Sequence, residues 1–494
     1  MSVGLVWAGV GIYVLIVTVV AFMARGGMVS GGLVDYFLWN RDMGGIVGAL
    51  SYAATTYSAF MLVGLAGLTY AGGVGALGFE MVYFSGLVLV AFFGPRFLLV
   101  GKKFGYVTTS EMLGDRYGSR AVAVVVALAS CVFLIPYSAV QLAGVGYLLE
   151  GTTGGAIPFL TGTVIAAVVA VVFALVAGIR SVAWTDAVQM VIMLVTALVA
   201  VLLIVNSLGG FGELFGRISA EHPGSLSVPG NGYFTFGTFL GLTLPWFFFS
   251  ISNPQVSQRL FMLGSLRNMR RMLLGFLICG FVYTLVAIVW GYAALVRFPE
   301  LSSPDLATPS LISSDLVPPV VGVIVIVGIL AAAISTIESV VLTLSSVVAR
   351  DVYANAGFAG SSDERRQLRV GKFVIPVIAA LALLFAGLEL DLIAVLAVSS
   401  SAGLVVTVPA IVGAFFWRRG TAPGALSSVI IGGVLVACLE LAGLTPLGGA
   451  SGVWGFIAAT VLYVAVSLMT RAPEAKAAEF MGYLKGALKD RGAV

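Results

Sequence analysis

Apolar residues run along this chain in long stretches, interrupted by short polar segments in which Arg, Lys, Gly and Pro gather. About 20 consecutive apolar residues suffice for a helix to cross a bilayer. Thirteen such segments are legible, at 3–23, 44–72, 76–100, 120–149, 156–177, 182–208, 234–262, 271–296, 318–349, 371–389, 391–417, 423–443 and 452–470. The pattern predicts an all-α polytopic membrane protein of about 13 transmembrane helices. No basic residue precedes the first apolar run and Arg25 follows it, as in an uncleaved anchor whose N-terminus lies outside. Thirteen crossings then put the C-terminus inside. Lys and Arg accumulate in cytoplasmic loops, and on this topology 24 of the 26 fall inside, leaving only Arg217 and Arg297 outside. The polar stretch 472–494 carries Phe480, Leu484 and Leu488 at helical spacing, with Lys485 and Lys489 between them. That spacing fits an amphipathic helix on the inner membrane surface or a solvated tail.

Two spans interrupt their apolar character at the centre. The second contains ALSYAATTYSA at 49–59, and the seventh contains FSISNPQVSQR at 249–259. A helix that unwinds at such a place must bury its freed backbone in protein or turn it toward a hydrated cavity, because lipid satisfies no carbonyl. Transporters use such carbonyls to hold ions and solutes. Continuous helices, with Ser and Thr bonding their own turns and a kink at Pro254, fit the same residues. The two segments are five spans apart, an odd interval that reverses the direction of crossing, as in an inverted repeat of spans 2–6 and 7–11. The organisation predicted is an extra helix and inner loop at 1–43, a first five-helix repeat at 44–208 and an extracellular loop at 209–233. A second repeat at 234–417, two further helices at 418–470 and a cytoplasmic tail at 471–494 follow.

The ninth span places Ala332, Ser335, Thr336 and Ser339 on one helical face. Stacked hydroxyls offer neutral oxygens suited to Na+, which must repay dehydration yet bind weakly enough to leave; a small-residue packing face fits too. Glu338 lies deep in the same span, where a carboxylate is costly enough to be functional by default. Asp186 begins the sixth span, where the helix dipole favours it and Arg180 is available to pair. Glu80 and Glu440 lie nearer outer ends, within reach of interfacial water, and receive no role. Tyr137 and Gln141, after Pro136 in the fourth span, are placed to line a solute cavity or to bond between helices.

Composition narrows the chemistry. Of the 494 residues 60% are hydrophobic and 10% charged, too few charges for a surface facing water. One histidine, His222, and three scattered cysteines, Cys131, Cys279 and Cys438, leave haem and multi-histidine metal centres without ligands. Neither an enzyme nor a cofactor is expected. The net charge of +4 is spread over short loops and gives no footprint for nucleic acid.

The stretches WTDAVQ at 184–189, AAAIST at 331–336 and NPQVSQR at 253–259 together resemble the sodium:solute symporter family, which includes proline, pantothenate, sialic acid, monocarboxylate and sugar symporters. The resemblance covers nearly the whole chain. It implies a LeuT-type fold with a 5+5 inverted repeat, broken helices in spans 2 and 7, and Na+ as the coupling ion for uptake of a small organic solute by alternating access, in the plasma membrane. Carried over by position, the family's sodium site falls on the carbonyls of Ala54, Tyr57 and Ala332 and the side chains of Ser335 and Thr336. The essential Asp of proline symporters is Thr56 here. A second sodium in sialic acid symporters maps to Asp186, Glu338 and Ser339, where Glu338 replaces a serine; a coupled cation or proton site is expected there. Candidate solute contacts are Thr55, Thr56, Tyr137, Gln141, Phe248, Ser252 and Gln255, with no buried Lys or Arg evident among them. Proton coupling through Glu338 and Asp186 is the nearest competing reading, ahead of a passive channel or a transporter-like sensor.

Overall fold

A computed structural model describes residues 2–25, 32–355, 363–388 and 393–489; Arg491 and the adjoining ends of the tenth and eleventh predicted spans lie outside them. Among the described residues every regular element is a helix. Eleven helices among the described residues are long and apolar enough to cross a membrane, or twelve when the bent pair Gly45–Thr56 and Phe60–Gly72 counts as one span. The predicted thirteen differs because the seventh segment is divided at Asn253 into helices of 17 and 9 residues, Phe236–Ser252 and Pro254–Met262, each short for a crossing.

Burial separates centre from perimeter. In the most apolar window of Ala397–Phe416, in the eleventh predicted span, 89% of residues are buried, and in that of Pro319–Tyr353, the ninth, 78%. The corresponding share is 28% in Val3–Arg25, Glu364–Ala386 and Ser451–Met469, which expose Ile12, Leu15, Phe22, Phe373, Leu384 and Val461. Such side chains are suited to lipid. The fifth and sixth spans meet at Gly178, whose φ of +62° and approach to the Tyr36 carbonyl leave no room for a Cβ.

The tail is a helix, Glu474–Lys489, whose Ala477, Phe480, Leu484 and Leu488 are buried against the protein itself. Phe480 stacks on Phe104 at 5.9 Å and packs on Phe415 at 5.6 Å, and Lys476 Nζ meets Asp115 at 2.8 Å. The amphipathic spacing read from sequence is thus satisfied by neighbouring helices, without a lipid surface.

Candidate functional site

Both breaks arise from residues that end one helix and start another. In the second span Tyr57 leaves helical geometry (φ −93°, ψ 79°), and the chain restarts with a π-helical turn from Phe60, its axis bent by 51°. Ser58 Oγ accepts from the Phe60 N–H at 3.2 Å and supports the restart. In the seventh, Asn253 is extended (φ −87°, ψ 113°) and Pro254 opens the next helix, where its missing N–H costs nothing. Asn253 Oδ1 accepts from Ser252 Oγ at 3.1 Å, and its Nδ2 donates to Ser401 Oγ at 3.3 Å.

Ending the helix at Thr56 leaves carbonyls of its last turn beyond that of Ala53 without helical donors. Hydroxyls of the ninth span meet them. Ser335 Oγ lies 3.2 Å from the Ala54 carbonyl and 2.9 Å from that of Ala332, and Thr336 Oγ1 lies 3.3 Å, 3.4 Å and 3.2 Å from Ala54, Thr55 and Ala332. Ala54, Ala332, Ser335 and Thr336 therefore converge in one buried cluster of neutral oxygens. The Tyr57 carbonyl is not among these contacts; that residue closes the turn by donating its N–H to the Ala53 carbonyl at 2.7 Å.

A charged cluster adjoins the oxygens. Asp186 Oδ2 accepts from Arg259 Nη2 at 2.9 Å and from Ser51 Oγ at 2.7 Å, both residues being buried. The guanidinium also donates to Ser339 Oγ at 2.8 Å, Ser51 Oγ at 3.1 Å and the Gln255 carbonyl at 2.5 Å. Ser339 reaches Thr55 Oγ1 at 3.0 Å. Two expectations change here. The cation beside Asp186 is Arg259, while Arg180 lies over the Trp39 ring at 5.0 Å. A buried arginine does exist, and as half of an internal pair Arg259 is not a loop charge reporting topology. Its signal in the sequence was its place inside the predicted span 234–262, three residues from the end. Glu338, one residue before Ser339, accepts from Thr185 at a long 3.4 Å, and its Oε1 has no hydrogen-bond partner.

The solute candidates divide. Thr55 belongs to the charged cluster and Ser252, which also bonds the Phe248 carbonyl at 3.0 Å, to the seventh-span break. Phe248 turns away and stacks on Phe456 at 5.1 Å. Its neighbour Phe249, buried, instead faces Tyr137 at 6.2 Å and Tyr83 at 6.1 Å, and sequence reasoning passed over it. Thr56 is buried, as are Gln141 and Gln255, and the amide groups of both glutamines have no hydrogen-bond partner among the described residues. An unmet buried amide costs about 1–3 kcal/mol, which polar atoms of a ligand or water offset. Glu80 is buried too, with Trp246 Nε1 donating to it at 3.2 Å, so the expected access to interfacial water is absent.

Two interrupted helices around a buried polar centre, inside a shell of apolar helices, make this a polytopic membrane transporter by architecture. The model of the sodium:solute symporter family matches residues 36–432, and the chain belongs to that family. The sodium/pantothenate symporter of Escherichia coli is 28% identical over 424 residues, covering 84% of this chain and 86% of that protein. The sodium/proline symporter of Staphylococcus aureus is 25% identical over 490 residues, covering 94% and 93%. A solved Na+-coupled sialic acid symporter, captured substrate-bound and outward-open, superposes with a TM-score of 0.79 at 18% identity, covering 95% of this chain and 98% of its own; the two share a fold. Family and relatives are transporters rather than enzymes, with Na+ as the coupling ion.

Proposed function

We propose that this protein takes up a small polar organic solute, an acid or a zwitterion as in the pantothenate and proline symporters, by Na+-driven alternating access. In this reading the chain crosses the membrane thirteen times from an outside N-terminus, and spans 2–6 and 7–11 form the inverted repeat. The observation that carries it is the meeting of Ser335 and Thr336 hydroxyls with the Ala54 and Ala332 carbonyls where the second span breaks. A Na+ held by these oxygens, with the Tyr57 carbonyl completing the set, ties the first repeat to the second. Bound ion thereby favours one relative position of the two repeats, and solute affinity follows that position. The solute lies beside the breaks, against Thr56, Tyr137, Gln141, Phe249 and Gln255, where the two amides donate and accept without requiring a fixed charge.

Proteoliposomes with Na+ and H+ gradients imposed separately test the reading across amino acids, monocarboxylates, pantothenate and sugars. Accumulation driven by Na+ is expected. A strict requirement for H+, indifferent to Na+, refutes it in favour of a second reading in which Glu338, hydrogen-bonded by the Thr185 hydroxyl, carries the coupling proton together with Asp186.

A further inference from the structure

Glu80 belongs to neither the sodium cluster nor the Asp186–Arg259 pair. It is fully buried; one oxygen accepts from Trp246 Nε1, and Oε2 has no hydrogen-bond partner among the described residues. The indole that meets it is itself packed among rings. Phe79 stacks on Trp246 at 5.5 Å, Phe60 approaches that indole at 5.2 Å and Tyr83 at 5.5 Å. From Tyr83 the rings continue through Phe249 to Tyr137, which lines the solute region.

We propose that Glu80 is the counter-charge for an ammonium group on the solute, seated among Trp246, Phe79, Tyr83 and Phe60. This rests on the symport reading and narrows its cargo to zwitterions. A carboxylate at this depth needs a cation, a proton or water, and the arginine buried in the seventh span, Arg259, is committed elsewhere, its guanidinium bonding Asp186, Ser51, Ser339 and the Gln255 carbonyl. Ring faces attract weakly hydrated organic cations, an alkylated ammonium above all. Na+ is a poorer occupant here, because its lost hydration must be replaced by several oxygens; those are gathered at Ser335 and Thr336, whereas Glu80 offers a single free oxygen among rings. The amides of Gln141 and Gln255 remain to receive the solute's opposite, acidic end.

The test is uptake by the full chain in proteoliposomes under an inward Na+ gradient. Glycine betaine and L-proline, which carry an ammonium group, are compared with D-pantothenate and lactate, which do not. Na+-driven uptake of an ammonium-bearing probe is expected, falling on the order of tenfold or more in Glu80→Gln while Glu80→Asp retains part of it. Uptake confined to pantothenate or lactate overturns the proposal and leaves the symport reading intact, as does wild-type uptake of the ammonium probes by Glu80→Gln. If Glu80→Gln does not fold, competition by glycine betaine against wild-type uptake decides, and its absence overturns the proposal. If none of the four probes shows Na+-dependent uptake, the wider screen of amino acids, monocarboxylates and sugars decides the symport reading. Thermal stabilisation of the wild type by glycine betaine then still supports the assignment of Glu80, and its absence overturns it.

Discussion

Asp186 and Glu80 are both wholly buried in membrane-spanning helices, yet their surroundings differ. Asp186 is met by a guanidinium at 2.9 Å and a hydroxyl at 2.7 Å, and that guanidinium spends its other donors on Ser51, Ser339 and the Gln255 carbonyl. Glu80 has one neutral indole N–H at 3.2 Å. The cost of burying charge in a membrane is several kcal/mol in either place. Where the chain supplies its own cation, the acid serves to hold the second, sixth, seventh and ninth spans in register. Where it supplies none, the acid is left to a proton, water or an arriving cation. Glu338 resembles Glu80 in that no cation bonds it among the described residues, its hydrogen bond being the long one from the Thr185 hydroxyl.

Arg259→Ala tests this division most severely. It leaves Asp186 buried without its counter-charge, and a loss of about 3–5 kcal/mol is expected in thermal or denaturant unfolding. Removing both charges, in Asp186→Asn with Arg259→Gln, should cost less than the sum of the single changes, because neither charge is then stranded. A strictly additive pair would mean that the ion pair does not join these helices.

Glu338→Gln should be milder. The amide still accepts the Thr185 hydroxyl, so stability is expected within about 1 kcal/mol of wild type. Ion stoichiometry, read from the reversal potential of uptake, should change, and with it the pH profile of transport. If both stayed unaltered, Glu338 would have no part in coupling.

Lys476 gives the smallest effect. The Asp115 carboxylate holds its ammonium above the ordinary lysine value, so the contact stabilises below about pH 10.4 and is lost as pH rises through the higher folded value. With the pair largely exposed, Lys476→Ala should change unfolding by less than about 0.5 kcal/mol near neutral pH, and by less again under strong alkali. A large loss would mean that the tail helix hangs on this pair rather than on Phe480, Leu484 and Leu488.

The long spans and both interruptions were legible because lipid makes apolar length and polar exceptions expensive to vary. Ser335 and Thr336 were legible because one helical period puts them on a single face. Arg259 misled because a basic residue near a span end normally reaches the interface, whereas the turn at Asn253 directs it inward to Asp186. Glu80 misled for a related reason: position along a span gives depth, but not which neighbouring helices close over it. Phe248 and Phe249 differ by one step around a helix, and only packing decides which faces Tyr137 and which Phe456.

The central claim is that the driving Na+ binds where the ninth-span hydroxyls meet the broken second span. Its most direct test is the Na+ concentration for half-maximal solute uptake in Thr336→Ala and Ser335→Ala proteoliposomes. Each variant loses one neutral oxygen, worth about tenfold in ion affinity, so the half-saturating Na+ should rise by about that factor while the protein stays folded. An unchanged Na+ requirement in both variants would contradict the account.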